Sequence, residues 1–377
     1  MEVFSFIWNY GIMFLVVLTV LVFVHEFGHY WAARRNGVRV DVFSIGFGPE
    51  IFGFHDRAGT RWKFSLIPLG GYVKMFGDAD ATSRPGEEVR TMTAEERQVS
   101  FFHKRLGQKA IIVAAGPIAN FLFAIIVLAL MFMLYGQPYT PPVVQEVQPD
   151  GAAAAAGIQA GDSIVSVNGS GVDRFQDVLQ VIVLNPGVPL EMVVERNGTR
   201  VPVTVTPRPV QLTDRFGNSH TIGRLGVLRG ADEYRKQPPL TAVVQAMRET
   251  WSLTTGTLDA VWQMAAGVRS TEELGGPLRI AQMSGQVAQT SFVALVWFLA
   301  VLSINLGLIN LFPVPMLDGG HLLFYGIEAA RGRPLGERAQ EYGFRIGLAL
   351  VLSLMVFATW NDLVHLRVVE FFRDLLS

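Results

Sequence analysis

The sequence predicts a polytopic α-helical membrane protein of about four transmembrane helices, with a cytoplasmic membrane-associated β-hairpin and an inserted α+β domain. Three observations predict it. Half of the 377 residues are hydrophobic and only 17% are charged, against roughly 25% in an ordinary soluble domain. The deficit is concentrated in four stretches long enough to cross a bilayer, whose core takes about 20 apolar residues. Between the second and third stretches the chain is polar and punctuated by glycine turns. This distribution excludes a simple soluble enzyme, a disordered chain and a fibre, and makes the lipid bilayer the first partner. A net charge of −1 offers no general basic field, so nucleic acid is not an expected partner. The absence of cysteine excludes disulfides, thiol catalysis and Cys-based metal sites.

The first span runs from about Phe6 to Tyr30. Residues Met1–Tyr10 carry Glu2, no Lys or Arg, and no small-residue cleavage site follows, so a retained span is expected rather than a signal peptide. The second covers about Ala110–Tyr135, the third about Phe292–Phe312 and the fourth about Phe344–Trp360, where Arg345 sits near one end and can snorkel. Arg34, Arg35 and Arg39 follow the first span, Lys104, Arg105 and Lys109 precede the second, and Arg331, Arg333 and Arg338 lie between the last two. The stretch Gly136–Gly151 has no Lys or Arg. The positive-inside rule therefore predicts 34–109 and 313–343 to be cytoplasmic, with 136–290 and both termini outside.

The cytoplasmic loop, about 40–80, contains Arg61–Ile67, which alternates with period two; Pro68-Leu-Gly-Gly71 reads as a turn into Tyr72–Phe76. This hairpin is expected at the membrane surface, presenting an edge at Val73 and Met75; a purely structural hairpin is the alternative.

In the outer segment, Val143–Val147 reads as a strand and Ala152–Gly157 as a short helix ended by glycine. Gly161–Gly169 reads as turn, strand and Asn-Gly turn, Asp173–Leu184 as a helix, and Leu190–Arg196 with Arg200–Val205 as strands joined by Asn197-Gly198. The run Ala155–Gly169 resembles the bacterial PDZ pattern, which assigns about 140–230 to one such domain. The region 240–290 is read as linker helices. In Leu240–Gly267, apolar positions recur at helical spacing around Trp251, Leu258 and Trp262, which fits an interfacial helix or a soluble helix of the outer domain. Residues 1–135 and 291–377 form the two halves of the membrane core.

The chemistry sits at the end of the first span. His25-Glu26-Phe27-Gly28-His29 places two imidazoles at i and i+4, one turn apart on one helix face, where both reach a single metal ion. Neutral imidazole suits zinc, and a catalytic zinc takes three protein ligands and a water. Glu26 lies beside the first ligand, able to take a proton from that water, whose pKa zinc lowers to about 7. With seven histidines in the chain a chance match is rare, and ionisable groups at the end of an apolar run are functional by default. No third ligand is local. Asp318, in Asn310-Leu-Phe-Pro-Val-Pro-Met-Leu-Asp-Gly-Gly320, is the best remote candidate, because Pro313 and Pro315 break the helix and let the carboxylate turn inward. His321 is its rival; His55, His103, His220 and His365 have no pairing at metal spacing.

Taken together, His25–His29, Gly116-Pro-Ile-Ala-Asn120 and Asn310–Gly319 resemble the motifs of the site-2 protease family of intramembrane zinc metalloproteases, a resemblance extending over nearly the whole chain. It implies one zinc per chain on His25, His29 and Asp318, Glu26 as catalytic base, and Asn310 with Asn305 contacting the substrate or the oxyanion. These asparagines would otherwise satisfy carbonyls of the broken helix. The resemblance further implies a bacterial inner-membrane enzyme of regulated intramembrane proteolysis. Its substrates would be pre-trimmed single-pass membrane proteins, an anti-sigma factor first among them and remnant signal peptides besides. The PDZ domain would exclude untrimmed ectodomains or bind a peptide C-terminus. The departure is a single PDZ domain where well-known members have two, with Gly223-Arg-Leu-Gly-Val227 reading as the start of a second module that lacks its remainder. Two other classes compete. A membrane-anchored PDZ adaptor with a non-catalytic metal site is opposed by the intact His25, Glu26, His29 and Asp318; a zinc transporter would want a path of acidic or His residues that is not seen.

Overall fold

In the computed structural model, the described residues are 10–78, 89, 91–213, 219–230, 233–267 and 275–365. The start of the expected first span (6–9), the end of the hairpin loop (79–80), part of the linker (268–274) and the last twelve residues (366–377) lie outside them. The chain divides into two units: Met1–Leu130 with Pro239–Ser377, and Met131–Pro238.

In the first unit, α1 (Ile12–Arg35) is apolar along its length and closes with Arg34 and Arg35, whose charge suits the negative end of the helix dipole. Gly37 takes φ +69° beyond it, and the Val38 amide reaches back to the Ala33 carbonyl at 2.9 Å, a glycine-dependent stop. α2 (Ala94–Val99) starts in a capping box between Thr93 and Glu96, and leads into α3 (Leu106–Leu134).

Between α1 and α2 lie β1 (Val40–His55) and β2 (Arg61–Met75). Each folds back on itself. Phe43 in the first half of β1 faces Val73 on one side and Trp62 on the other, while Trp62 also faces Phe54 in the second half of β1. The sheet is therefore four segments wide, in the order 71–75, 40–45, 61–65, 50–55. Gly46, Gly48 and Gly70, at φ +90°, +85° and +138°, make the bends. The reversal lies at Asp56–Thr60, where Asp56 Oδ1 accepts from the Ala58 and Thr60 amides at 2.8 and 2.9 Å. Tyr30 of α1 donates to Asp56 Oδ2 at 2.6 Å and Trp62 Nε1 at 3.1 Å. Burial acts to raise the Asp56 carboxyl, and these donors outweigh it and hold it below its ordinary value. The expected turn at Pro68–Gly71 also reverses the chain, since 61–64 and 71–75 run in opposite directions against 40–45; the two do not pair with each other, because 40–45 lies between them. The far part of the sheet exposes Phe52, Phe54, Leu66, Ile67 and Leu69, an apolar edge that suits hydrocarbon better than water.

Four helices are long and apolar enough to cross a membrane: α1, α3, α8 (Phe292–Leu311) and α10 (Glu337–His365). α6 (Pro239–Ala265) belongs to this unit and not to the outer domain. It buries Ala242, Ala246 and Thr250, exposes Met247, Trp251 and Trp262, and hydrogen-bonds through Thr257 to Asn305 of α8 at 3.2 Å. α7 (Pro277–Thr290) is held at its start by Asp362 of α10, which accepts from the Gly276, Leu278 and Arg279 amides at 2.8–3.1 Å. After α8 the chain breaks at Pro313 and Pro315, passes Met316 at φ +87°, and restarts as α9 (Asp318–Arg331). A Cβ at Gly319 would meet the Leu311 and Phe312 carbonyls, so the sharp restart needs glycine.

The second unit comprises β3 (Gln137–Tyr139), β4 (Val144–Val147), α4 (Ala152–Ala155), β5 (Ser163–Val167), β6 (Ser170–Gly171), α5 (Phe175–Leu184), β7 (Leu190–Arg196), β8 (Thr199–Val205), β9 (Arg208–Thr213), β10 (Ser219–Arg224), β11 (Val227–Arg229) and β12 (Glu233–Arg235). Its main sheet is antiparallel in the order β6-β5-β7-β8, and Asn168-Gly169 and Asn197-Gly198 take positive φ, as tight hairpins require. Val144, Ile164, Val178, Leu190 and Met192 fill its core. Leu225 is buried in that same core, and β11 pairs with β4, Val227 opposite Val147. Gly223–Val227 therefore completes this module and does not begin a second one: the Leu-Gly-Val pattern fits any strand entering a core, and only the pairing tells which core.

Candidate metal centre

α1 carries His25, Glu26 and His29 to a close contact with α3. A Cβ at Gly28 would meet the Ala115 carbonyl, and one at Gly116 would meet both imidazole rings. Small residues on both helices thus let α3 lie directly behind the two histidines. Pro117 removes one backbone donor from α3. One turn before Gly116, the Ile112 carbonyl accepts the Nδ1 hydrogen of His29 at 2.9 Å.

The broken end of α8 brings Asp318 to the same point. Its Oδ2 lies 3.2 Å from His25 Nε2 and 3.5 Å from His29 Nε2, and the two Nε2 atoms are 3.2 Å apart. Ligands about 2.1 Å from a tetrahedral zinc lie about 3.4 Å from one another. The three atoms therefore already have the spacing of three corners of a zinc tetrahedron. Asp318 Oδ2 is buried with no hydrogen bond, which leaves a lone pair for a cation. Among the described residues these three form the one His/Asp/Glu group with metal-binding spacing. His321 is not in it; its ring lies beside Phe344, 5.4 Å between centroids.

An open cavity of about 270 Å³ adjoins the cluster, lined by Glu26, Asn310, Met316, His321 and Tyr325 and on one side by Gly71–Val73 and Met75. The Val73 backbone is within hydrogen-bonding reach of the Glu26 carboxylate. Val73 and Met75 are buried at 6% and 5% exposure, so that segment offers the cavity mainly its backbone edge, which pairs with no other strand among the described residues. Asn310 lines the cavity. Asn305 does not: its side chain is engaged by Thr257 on another face of α8. Sequence reasoning missed two contacts, the Ile112 carbonyl and the side chain of Asn120, whose amide lies 3.3 Å from His25 Nδ1. A carbonyl has no sequence signal. The Gly116/Asn120 spacing, matching that of His25/His29, was a signal without an assigned role.

The chain as a whole is similar to metalloproteases. It is 47% identical over 367 residues to a candidate zinc metalloprotease of Agrobacterium fabrum, covering 96% of this chain and 97% of that one. It is 36% identical over 388 residues to the metalloprotease MmpA of Caulobacter vibrioides, covering 96% and 97%. To the protease RseP of Yersinia pestis it is 36% identical, covering 96% and 100%, in an alignment of 464 positions that exceeds this chain's 377 residues. The PDZ domain of an SdrC-like protein from Listeria monocytogenes is also similar, at 18% identity and a TM-score of 0.19, covering 24% of this chain and 88% of that one. The model of peptidase family M50 matches residues 13–354, from the first span through the site into the last, and the chain belongs to that family as a membrane-embedded zinc metalloprotease.

Proposed function

We propose that this zinc metalloprotease cuts transmembrane segments of single-pass membrane proteins already trimmed outside the membrane, with an anti-sigma factor as the substrate the family resemblance implies. The observation that carries the reading is the near-tetrahedral convergence of His25, His29 and Asp318 beside Glu26, in a cavity bordered by an unpaired strand edge. In this reading His25, His29 and Asp318 hold the zinc. When bound, the metal polarises a water and brings its pKa near 7. Glu26 takes a proton from the attacking water and returns it to the leaving amine. Asn310, at the cavity wall, donates to the oxyanion of the scissile carbonyl.

A transmembrane helix keeps its amides in its own hydrogen bonds, so cleavage requires local unwinding, and each group freed in lipid costs several kcal/mol. The edge at Val73–Met75 offsets that cost by pairing with the unwound substrate as an added strand. The distribution of Lys and Arg supports an inner-membrane orientation with the site near the cytoplasmic face and the PDZ-like unit and both termini outside. The PDZ-like unit then stands where it can exclude untrimmed ectodomains or capture a peptide C-terminus. Reconstitution with a model single-span helix tests the mechanism: wild type cleaves, and Glu26→Gln does not while keeping its zinc. Equal cleavage by the two would remove Glu26 from the reaction.

A further inference from the structure

We propose that Asn120 is a positioning residue for the metal: its side-chain amide accepts the Nδ1 hydrogen of His25 and so holds that ring with Nε2 toward the ion. This inference rests on the metal reading of the site given above.

The geometry begins with the ring faces. Both histidines turn Nε2 toward Asp318, at 3.2 and 3.5 Å. An imidazole that ligates through Nε2 carries its proton on Nδ1, and that proton needs an acceptor that also fixes the ring. For His29 the acceptor is the Ile112 carbonyl at 2.9 Å. For His25 the group at Nδ1 is the Asn120 side-chain amide at 3.3 Å. Nitrogen and oxygen of an amide are assigned from their surroundings. With Nδ2 toward His25, two donors face each other in the ligating tautomer and Oδ1 is left buried without a partner. Turning the amide about gives the Nδ1 hydrogen its acceptor and removes the buried orphan oxygen.

The mounting is rigid. Asn120 is fully buried on α3, and its backbone carbonyl accepts from Ser303 Oγ of α8 at 2.9 Å. Gly116, one turn earlier, lets α3 touch both rings. The two metal histidines are thus oriented from one helix, by a backbone carbonyl and by a side chain about two turns further along it. A leucine would fill nearly the volume of Asn120, so packing alone gives no reason for a buried amide here.

The test compares zinc affinity by chelator competition, and the visible spectrum of the cobalt-substituted protein, in wild type, Asn120→Leu, Asn120→Asp and Ser303→Ala. Loss of such an orienting partner weakens metal binding by about 10–100-fold. Asn120→Leu is expected to show that loss and an altered cobalt spectrum. Asn120→Asp, whose carboxylate is also an acceptor, is expected to bind at least as tightly as wild type. Ser303→Ala, which loosens the same helix contact without touching His25, is expected to bind normally. Wild-type affinity in Asn120→Leu overturns the proposal, as does loss of zinc in Asn120→Asp or an equal loss in Ser303→Ala. If wild type itself takes up no zinc, the underlying site reading falls and takes this one with it.

Discussion

Asp162 of the PDZ-like unit and Asp318 of the membrane unit are treated in opposite ways. In the PDZ-like unit Asp162 is fully buried, and every strong interaction available to it is made. Arg196 donates to both of its oxygens at 2.7 Å, and the Gln159 amide adds a third bond at 2.9 Å. In the membrane unit Asp318 faces two imidazoles, and its Oδ2 receives no hydrogen bond at all. A buried carboxylate oxygen without a partner is costly, and a cation bound as proposed above would offset that cost at Asp318.

The sharpest way to break this comparison is to remove chemistry from the unsatisfied site. Glu26→Gln is expected to lower cleavage of a single-span substrate by about 10²–10⁴-fold, the usual cost of losing a general base, with zinc content unchanged. Metal analysis alongside the cleavage assay checks both halves. Asp318→Ala should abolish zinc uptake and cleavage together, because two histidines do not complete a catalytic site. Next in size is Val73→Pro, which deletes a backbone donor from the strand edge beside Glu26. It should reduce cleavage at least about tenfold, since strand addition draws its affinity from main-chain bonds, and leave zinc in place; unchanged cleavage would show the edge to be structural.

The satisfied aspartate predicts a milder effect, read in stability. The Arg196 guanidinium beside Asp162 holds its carboxyl below the ordinary value. A lowered folded pKa contributes stability that is present above the unfolded value of about 3.9 and is lost as pH falls through the folded one. Hydrogen exchange in β5 and β7 of the full chain should therefore speed up on acidification, and Asp162→Asn should exchange faster at neutral pH and respond less to acid. The smallest effect is expected from Asn305→Ala. Its side chain is bonded to Thr257 and stands away from the cavity, so cleavage should change by no more than a few-fold, against a clear loss for Asn310→Ala. Comparable losses in the two variants would bring Asn305 back into the site.

How far the site could be read in advance depended on the range of the signal. His25, Glu26 and His29 lie within one turn and a fraction of helix, so spacing alone puts them together. Asp318 is nearly three hundred residues away, and it was legible only because two prolines and two glycines announce a broken helix around it. Short-range cues also misled. Pro68–Gly71 has the composition of a hairpin turn and does reverse the chain, yet the strand it delivers pairs with 40–45 and not with 61–65, which no local cue announces. Gly223–Val227 has the composition of a strand start, yet its pairing with β4 closes the module that began at the other end of the segment. The placement of α6 was open because amphipathic periodicity is the same on a membrane helix and in a soluble domain; the bond from Thr257 to Asn305 answers it.

The charge deficit, the four apolar spans, the asymmetry of Lys and Arg and the two histidines one turn apart belong to the sequence alone. They depend on residue type and local spacing, which need no tertiary contact to be expressed. Only the tertiary structure decided which carboxylate oxygen meets the two imidazoles, which strand edge borders the cavity and which groups lie at the far side of each ring. Those depend on separations of a few tenths of an ångström between groups far apart in the chain, and packing sets such distances where composition cannot.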